Sequence, residues 1–423
     1  MNTFQKLAVS LGLVAAMACG GNPNNGTDDG DGGGDTTDAA LIDGIPEIDA
    51  RVLPPIPADC LESANLGLTW MVAQQNPDGS WGANEKVATT GFAVLKLETY
   101  AAEIGQSPFD PNFIYFNQVK LGLAFLFTRA SFAPVPMQTH GNPDANGNTK
   151  GIAYSAVMYD NSIVLMAVAA GADPTQIVTT PGSVLNGLTF RAVVEDSVDY
   201  LSFAQSDAAT STASSCSRGG WRYQAFNNNN SAGDNSVTQW ATLALEYARH
   251  PQYKYMIMTP DWVLTETRDW VTCIQNHGAT ADDGSSGYTN PTQILNAYKT
   301  GALIQQMSFL GDNPNSPNVA AAVNYIGRKW NDTSGVGWRT TNISDYLAMY
   351  SIMKGMESYA ITDIGGINWY REFCDKLKTE QRVDGSWGSS RYERDPRGPS
   401  GLDSTLWALL VLERAAPPPE IIP

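Results

Sequence analysis

Histidine is the scarcest reactive residue in this chain. Only His140, His250 and His277 occur among 423 residues. Each falls in a loop or at a helix end with no cysteine at ligand spacing, so a zinc-activated thiolate lacks its ligands and general acid–base work must fall to carboxylates. Positive charge is also short: 26 Lys and Arg stand against 43 Asp and Glu, a formal net charge of −17. Nucleic acid or a bare anionic surface would need the opposite balance, so no nucleic-acid partner is expected. Phosphate loops, Gly-x-Ser-x-Gly elbows and metal-ligand spacings are missing as well, which leaves no cofactor and no metal to expect. Charged residues make up 16% and hydrophobic residues 43% of the chain. That is too apolar for disorder and ample for a large core. What the chain does have is aromatic surface, with 11 Trp and 17 Tyr.

The start reads as an export signal. Lys6 precedes an apolar stretch of 11 residues, 7–17, too short to cross a bilayer. Ala16-Met-Ala18 then leads into Cys19, an arrangement resembling a bacterial lipobox, although Ala16 stands where Leu is usual. Residues 1–19 are thus expected to be a lipoprotein signal peptide, with Cys19 lipidated. The product would be exported and held by its lipid anchor, on an outer membrane facing the periplasm or at the cell surface. Residues 20–50 are a low-complexity Gly/Asn/Asp tether with eight acids and no base, so the folded part is only mildly acidic. The expected domain runs from 51 to 416, and 417–423 is a Pro-rich tail. Cys60, Cys216, Cys273 and Cys374 fall in the exported part, where disulfides persist; four thiols allow three pairings.

Internal repetition is the strongest signal. Gln75-Asn-Pro-Asp-Gly79-Ser-Trp81 and Gln381-Arg-Val-Asp-Gly385-Ser-Trp387 are two copies of one phrase. Weaker copies end at Tyr154, Trp221, Tyr288 and Trp338, giving six aromatic anchors spaced by 73, 67, 67, 50 and 49 residues. Each unit reads as an amphipathic helix, a Gly/Asn/Asp loop carrying the anchor, and a small-residue-rich apolar helix. A helix such as Thr238-Gln-Trp240-Ala-Thr-Leu-Ala-Leu, apolar on several faces, belongs inside, and the striped first helix outside.

The two Gln-(x)3-Gly-x-Trp phrases resemble the QW motifs of the squalene cyclase and protein prenyltransferase superfamily, and the likeness runs over nearly the whole chain after the tether. The resemblance implies an all-α fold: a closed α/α toroid of six helix pairs, with inner and outer rings around a central cavity. It also implies that Trp81 and Trp387 pack rather than bind. In such a ring Cys60, opening the first outer helix, comes near Cys374 in the last, while Cys216 and Cys273 lie in consecutive units. The expected bridges are Cys60–Cys374 and Cys216–Cys273.

The reactions of that superfamily find little support in the residues. No Asp-x-Asp-Asp acid occurs in the folded part; Asp282-Asp283 sits in a Gly/Ser loop, and no Asp-Cys or thioester phrase is present. What recurs is a carboxylate or amide at the start of inner helices: Asp160, Asp234, Asn290, Asp345 and Asp403. Such residues cap helices. If the inner helices run parallel, the same residues converge on one rim, making Asp160, Asp234, Asp345 and Asp403 the candidate catalytic carboxylates. Trp221, Arg222, Tyr223, Tyr288, Trp338, Arg339 and Tyr346 then become the candidate ligand walls. The expected function is binding of a polar or amphipathic small molecule, glycan or isoprenoid in the cavity at the cell envelope. A carbohydrate-active lyase or hydrolase and a divergent terpenoid cyclase are the alternatives. One loop, Asn142-Pro-Asp144-Ala-Asn146-Gly147, half-matches a calcium loop, but its twelfth position is Ala153 rather than Glu, and it reads as an ordinary turn.

Overall fold

A computed structural model describes residues 53–209, 215–225, 232–397 and 400–415. Cys19 and the tether lie outside the described residues. Six helix pairs follow one another: α1 (Ala58–Val72) with α2 (Lys86–Glu103), α3 (Phe116–Arg129) with α4 (Met158–Ala170), and α5 (Phe190–Ala204) with α6 (Asn235–Arg249). Then come α7 (Asp261–Ile274) with α8 (Ala297–Phe309), α9 (Pro317–Arg328) with α10 (Tyr346–Ser358), and α11 (Trp369–Glu380) with α12 (Leu402–Leu412). Even-numbered helices pack in the order α2, α4, α6, α8, α10, α12 and back to α2, while α1 packs on α11 and α12. The ring is closed: the fold is an α/α toroid.

Burial explains which helix goes where. All 11 residues of α12 are buried, whereas α9 buries only Val319, Ala322, Tyr325 and Ile326, a single stripe. A helix that is apolar all round has to be enclosed, and a striped one can face water.

The repeated phrase is the joint between units. The indole N–H of Trp81, Trp221 and Trp387 donates to the carbonyl of Met71, Leu201 and Leu377, at 2.9, 2.8 and 2.8 Å. Each of these carbonyls lies in the last turn of its own outer helix, where the regular helical hydrogen bonds run out. The motif glutamine reaches onward to the next outer helix: Gln75 Nε2 donates to Gln118 O, Gln205 to Val263 O, Gln275 to Asn318 O and Gln381 to Ser63 O. The last of these crosses from the sixth unit to the first. Glycine makes room for it, since a Cβ on Gly67 of α1 would fall 2.5 Å from the Trp387 ring.

Each anchor also ties down its inner helix. The backbone N–H of Trp81, Trp221 and Trp387 donates to the hydroxyl of Thr90, Thr238 and Thr405. In the fourth unit the residue in this role is Ser286, which bonds Thr300 Oγ1, and the fourth inner helix begins at Ala297, capped by Asn296. The anchor expected at Tyr288 and the helix start expected near Asn290 are thereby corrected: Tyr288 lies two residues beyond the joint and is free of it.

Short strands decorate the loops. β1 (Ser131–Pro134) pairs with β2 (Lys150–Ala153), β3 (Gln205–Asp207) with β4 (Arg218–Trp221), and β7 (Ser400–Gly401) with both β5 (Trp387–Gly388) and β6 (Pro396–Arg397). Two disulfides, Cys60–Cys374 between α1 and α11 and Cys216–Cys273, complete the frame. At the C-terminal ends of the inner helices, buried polar side chains cross-link the ring. Lys96 pairs with Glu413, and Lys354 donates to Tyr247 Oη at 3.2 Å. Among the described residues no helix is long and apolar enough to cross a membrane.

Candidate functional site

The N-terminal ends of all six inner helices surround a cavity of about 390 Å³. Its wall is built in register. The second residues of α4, α6, α8, α10 and α12, namely Tyr159, Ser236, Tyr298, Leu347 and Asp403, line it together with Ala88 of α2. One turn deeper come Phe92, Ile163, Trp240 and Trp407, each four residues after its unit's first-layer residue. Positions four apart share a helix face, so equivalent places in the repeat deliver an upper polar–aromatic layer and a lower apolar one. Phe92 packs edge-on against Trp240, with ring centroids 5.3 Å apart. The loops of units three, four and six are the long ones and add Tyr223, Tyr288, Ile294, Arg391, Tyr392 and Arg394.

The four candidate carboxylates have different fates. Asp234 Oδ1 caps α6 through Ser236 N at 2.8 Å, and Asp345 Oδ1 caps α10 through Ala348 N at 3.0 Å. Asp160 accepts from Ser155 Oγ and does not line the cavity. Asp403 does line it. Its own helix is capped by Glu393, which accepts from the backbone N–H of Asp403 and Ser404 at 3.2 and 2.8 Å. Relieved of capping, Asp403 accepts instead from Thr89 Oγ1 at 3.0 Å and from Arg394 N at 3.2 Å. Burial, with Glu393 nearby, pushes its carboxyl up to about 7, so a proton is retained near neutral pH. Burial also raises Asp345 to about 6.

Of the expected ligand walls, Tyr223 and Tyr288 line the cavity with their hydroxyls bonded to each other. Arg222 stands behind them, its guanidinium 4.9 and 5.8 Å from their ring centroids and 3.9 Å from Asp234. Trp221, Trp338, Arg339 and Tyr346 are elsewhere. Trp221 and Trp338 are fully buried, Trp221 as a joint. Arg339 stacks on Trp338 and pairs with Glu372. Tyr346 donates to Glu380 at 2.9 Å. Their aromatic and charged groups are consumed by packing between the rings.

Lys299 of α8 is the wall residue the sequence did not flag. It is 4% exposed and lines the cavity, and its Nζ has no hydrogen-bond or ion-pair partner among the described residues. Its Nζ sits 5.7 and 5.5 Å from the Tyr288 and Tyr298 ring centroids. Burial depresses it to about 8, opposed by Asp234 and Asp345 and reinforced by Arg391. The ammonium is therefore mostly charged at neutral pH and open to an anionic or oxygen-rich partner. The signal for it was positional: Lys299 follows Tyr298, the fourth unit's equivalent of Asp403.

Away from the cavity, His140, Asp207 and Glu266 converge, with Nδ1 in contact with Asp207 and 3.6 Å from Glu266. Arg218 already holds Glu266 through two bonds of 2.6 Å. The cluster is a closed ion network. An apolar groove of about 220 Å³, lined by Phe109, Phe127 and Phe190, lies between α3 and α5 and contains no acid.

No family model and no curated protein matches the sequence. Among solved structures the chain is similar to the GH76A alpha-1,6-mannanase of Salegentibacter sp. HEL1_6, with a TM-score of 0.55 at 11% identity over 84% of this chain and 98% of that one. An inactive variant of that enzyme in complex with alpha-1,6-mannotetrose gives 0.54 at 11% identity over 85% and 99%. A glycoside hydrolase family 76 mannosidase of Bacteroides thetaiotaomicron gives 0.50 at 10% identity over 84% and 97%. The likeness is one of fold. It covers the whole ring and leaves chemistry to be argued from the cavity itself.

Proposed function

We propose that this chain binds a carbohydrate in the rim cavity and acts on it by proton transfer from Asp403. The observation that carries the reading is the position of Asp403: on the cavity wall, 6% exposed, and released from helix capping by Glu393. A carboxyl that keeps its proton near neutral pH suits a general acid. Tyr159, Tyr223, Tyr288, Tyr298 and Tyr392 supply flat faces and hydroxyls that match a sugar ring, and a cavity of about 390 Å³ fits one or two such rings. Lys299 and Arg391 favour a sugar carrying an acidic group. Support for a glycan also comes from the similar fold, one member of which is seen with mannotetrose, as an analogy of fold.

A second reading has one specific observation in its favour. The lower layer of Phe92, Ile163, Trp240 and Trp407 would receive the apolar part of an amphipathic or isoprenoid ligand. An all-hydrocarbon occupant, however, would leave Lys299 and Asp403 facing apolar surface.

At the cell envelope the chain would be held by lipid on Cys19 and reach ligand through its tether. Palmitate labelling and membrane fractionation of wild type and Cys19→Ala test the anchor. The cavity is tested with neutral and uronate-bearing oligosaccharides, following binding by calorimetry and turnover by product analysis. Tyr288→Ala should weaken binding at least tenfold, and Asp403→Asn should abolish turnover while retaining binding. Binding that survives without any turnover in wild type would reduce the protein to a binder; no binding of either class would overturn the carbohydrate reading.

A further inference from the structure

The loop between β1 and β2 folds back on α5 in a way the cavity does not explain. Asp144 Oδ1 accepts from Gly147 N and Asn148 N at 2.9 and 3.1 Å, and Oδ2 from Thr149 N at 2.9 Å. Asn146 Oδ1 accepts from Asn148 N, and Asn148 Oδ1 from Lys150 N. Asp144, Asn146 and Asn148 thus stand at alternate positions with their side-chain oxygens folded inward, one register later than the half-match that begins at Asn142. Position six from Asp144 is Thr149, at φ +63°.

Such turns form without a ligand. What points to one lies underneath them, on α5. Asp196 and Asp199 face the loop from one side of that helix, 5% and 2% exposed. Asp196 Oδ1 accepts from the side-chain amides of both Asn146 and Asn148 at 2.8 Å, and Asp199 Oδ1 accepts from Ala145 N at 3.2 Å. Asp199 Oδ2 is buried against this loop with no hydrogen-bond partner among the described residues. Glu195 adds a further charge, paired outward with Arg191. No Lys, Arg or His forms an ion pair with Asp144, Asp196 or Asp199 among the described residues. Two nearly buried carboxylates and a third above them, lacking any cation, are costly while ionised unless a positive ion joins them.

We propose that loop 144–150 and α5 together form a calcium site. The side chains of Asp144, Asn146, Asn148, Asp196 and Asp199 offer the oxygens, with backbone carbonyls and water completing the shell. Calcium takes roughly 6–8 oxygen ligands in irregular geometry, which suits a set of carboxylates and amides split between a loop and a helix; magnesium demands a stricter octahedron. Counted from Asp144 the loop's twelfth position is Ser155, not an acid, and carboxylates about 50 residues downstream take its place. The side-chain amides now donating to Asp196 would turn their oxygens to the ion, a rotation that conserves the fold. The site would pin the loop to the outer ring between the second and third units.

The test uses the full-length protein stripped on chelating resin. One calcium per chain should bind by native mass spectrometry. Terbium should give luminescence sensitised through Trp262, whose indole bonds the Asn142 carbonyl at 3.2 Å. Calcium at ~100 times its dissociation constant should raise Tm by roughly 3–5 °C. Asp196→Asn and Asp199→Asn should abolish both responses and, with carboxylate repulsion eased, keep the calcium-free Tm or raise it. Asn148→Ala, at an exposed position, serves if either fails to fold and should weaken binding at least tenfold. A folded wild type that neither binds calcium nor gains stability from it overturns the proposal. So does an equal response from the variants, which would place the ion elsewhere, or an equal shift with magnesium, which would remove the calcium assignment.

Discussion

Replacing Cys60 and Cys374 together by alanine opens the covalent seam of the ring, and the cost can be worked out against an internal standard. The seam bridge spans 314 residues and the Cys216–Cys273 bridge 57. Loop-closure entropy gives the first about 5–6 kcal/mol of restraint on the unfolded chain and the second about 4. The seam pair should therefore cost about 1.5 kcal/mol more to remove than the short pair. Contacts across the seam persist without the sulfurs: Ser63 Oγ bonds Gln381 Oε1 at 2.6 Å, Asp59 holds Arg371 at 2.7 Å, and the Trp387 ring lies on Gly67. Most of the loss then resides in the unfolded state. Equilibrium guanidinium unfolding of both double variants reads the difference, with a steeper denaturant slope for the seam variant because its unfolded chain expands further. A seam variant no less stable than the Cys216→Ala/Cys273→Ala variant would refute the entropic reasoning and place the value of the bridge in native contacts.

Three further outcomes are expected. Gly385 sits at φ +90°, where a Cβ would fall 2.5 Å from Leu66 O, so Gly385→Ala should cost about 2 kcal/mol or more in thermal unfolding; an unchanged melt would deny that the joint is tight. Lys299→Met should stabilise the protein by about 3 kcal/mol at pH 6–7, because the folded state depresses this amine below its unfolded value and holds a charge at a cost until pH rises through 8. The same variant should lose affinity for an acidic sugar, and a destabilised melt would contradict its buried, unpaired state. Asp403 lies on the opposite side of the linkage: its folded value of about 7 exceeds the unfolded one, so its stability contribution is fully present below pH ~4 and declines as pH rises through 7. Turnover that needs its proton should fall over the same upper limb, and Asp403→Asn should flatten the stability profile there.

The architecture was legible because the same joint is rebuilt at several units. Gln75, Gln205, Gln275 and Gln381 each reach the next outer helix, and Trp81, Trp221 and Trp387 each bond a carbonyl of their own outer helix. Those demands leave a phrase in the sequence. The cavity left a fainter trace, because its wall depends on register along helices that are apolar almost everywhere. Tyr223, Tyr288 and Asp403 stood out as polar groups near helix starts. Trp221 and Trp338 stood out for the same reason and turn out to be packing, since an aromatic anchor and an aromatic wall look alike in one dimension. Trp240 and Trp407 were hidden among neighbours of similar hydrophobicity, and only aligning the second and sixth residues of the inner helices separates wall from core; Lys299 sits one place after such a second residue, Tyr298. The proposed calcium ligands were split for a simpler reason: two of the five, Asp196 and Asp199, belong to a different element.

The joint between the sixth unit and the first is built like the joint between the first unit and the second. Gln381 meets Ser63 as Gln75 meets Gln118, and Trp387 lies on α1 as Trp81 lies on α3. An open array can gain or lose a unit and remain a shorter or longer version of itself. A closed circle has no such freedom: its unit number is fixed by closure, and added length is accommodated most easily in the loops. The three longest loops between joint and inner helix are the ones that reach over the cavity.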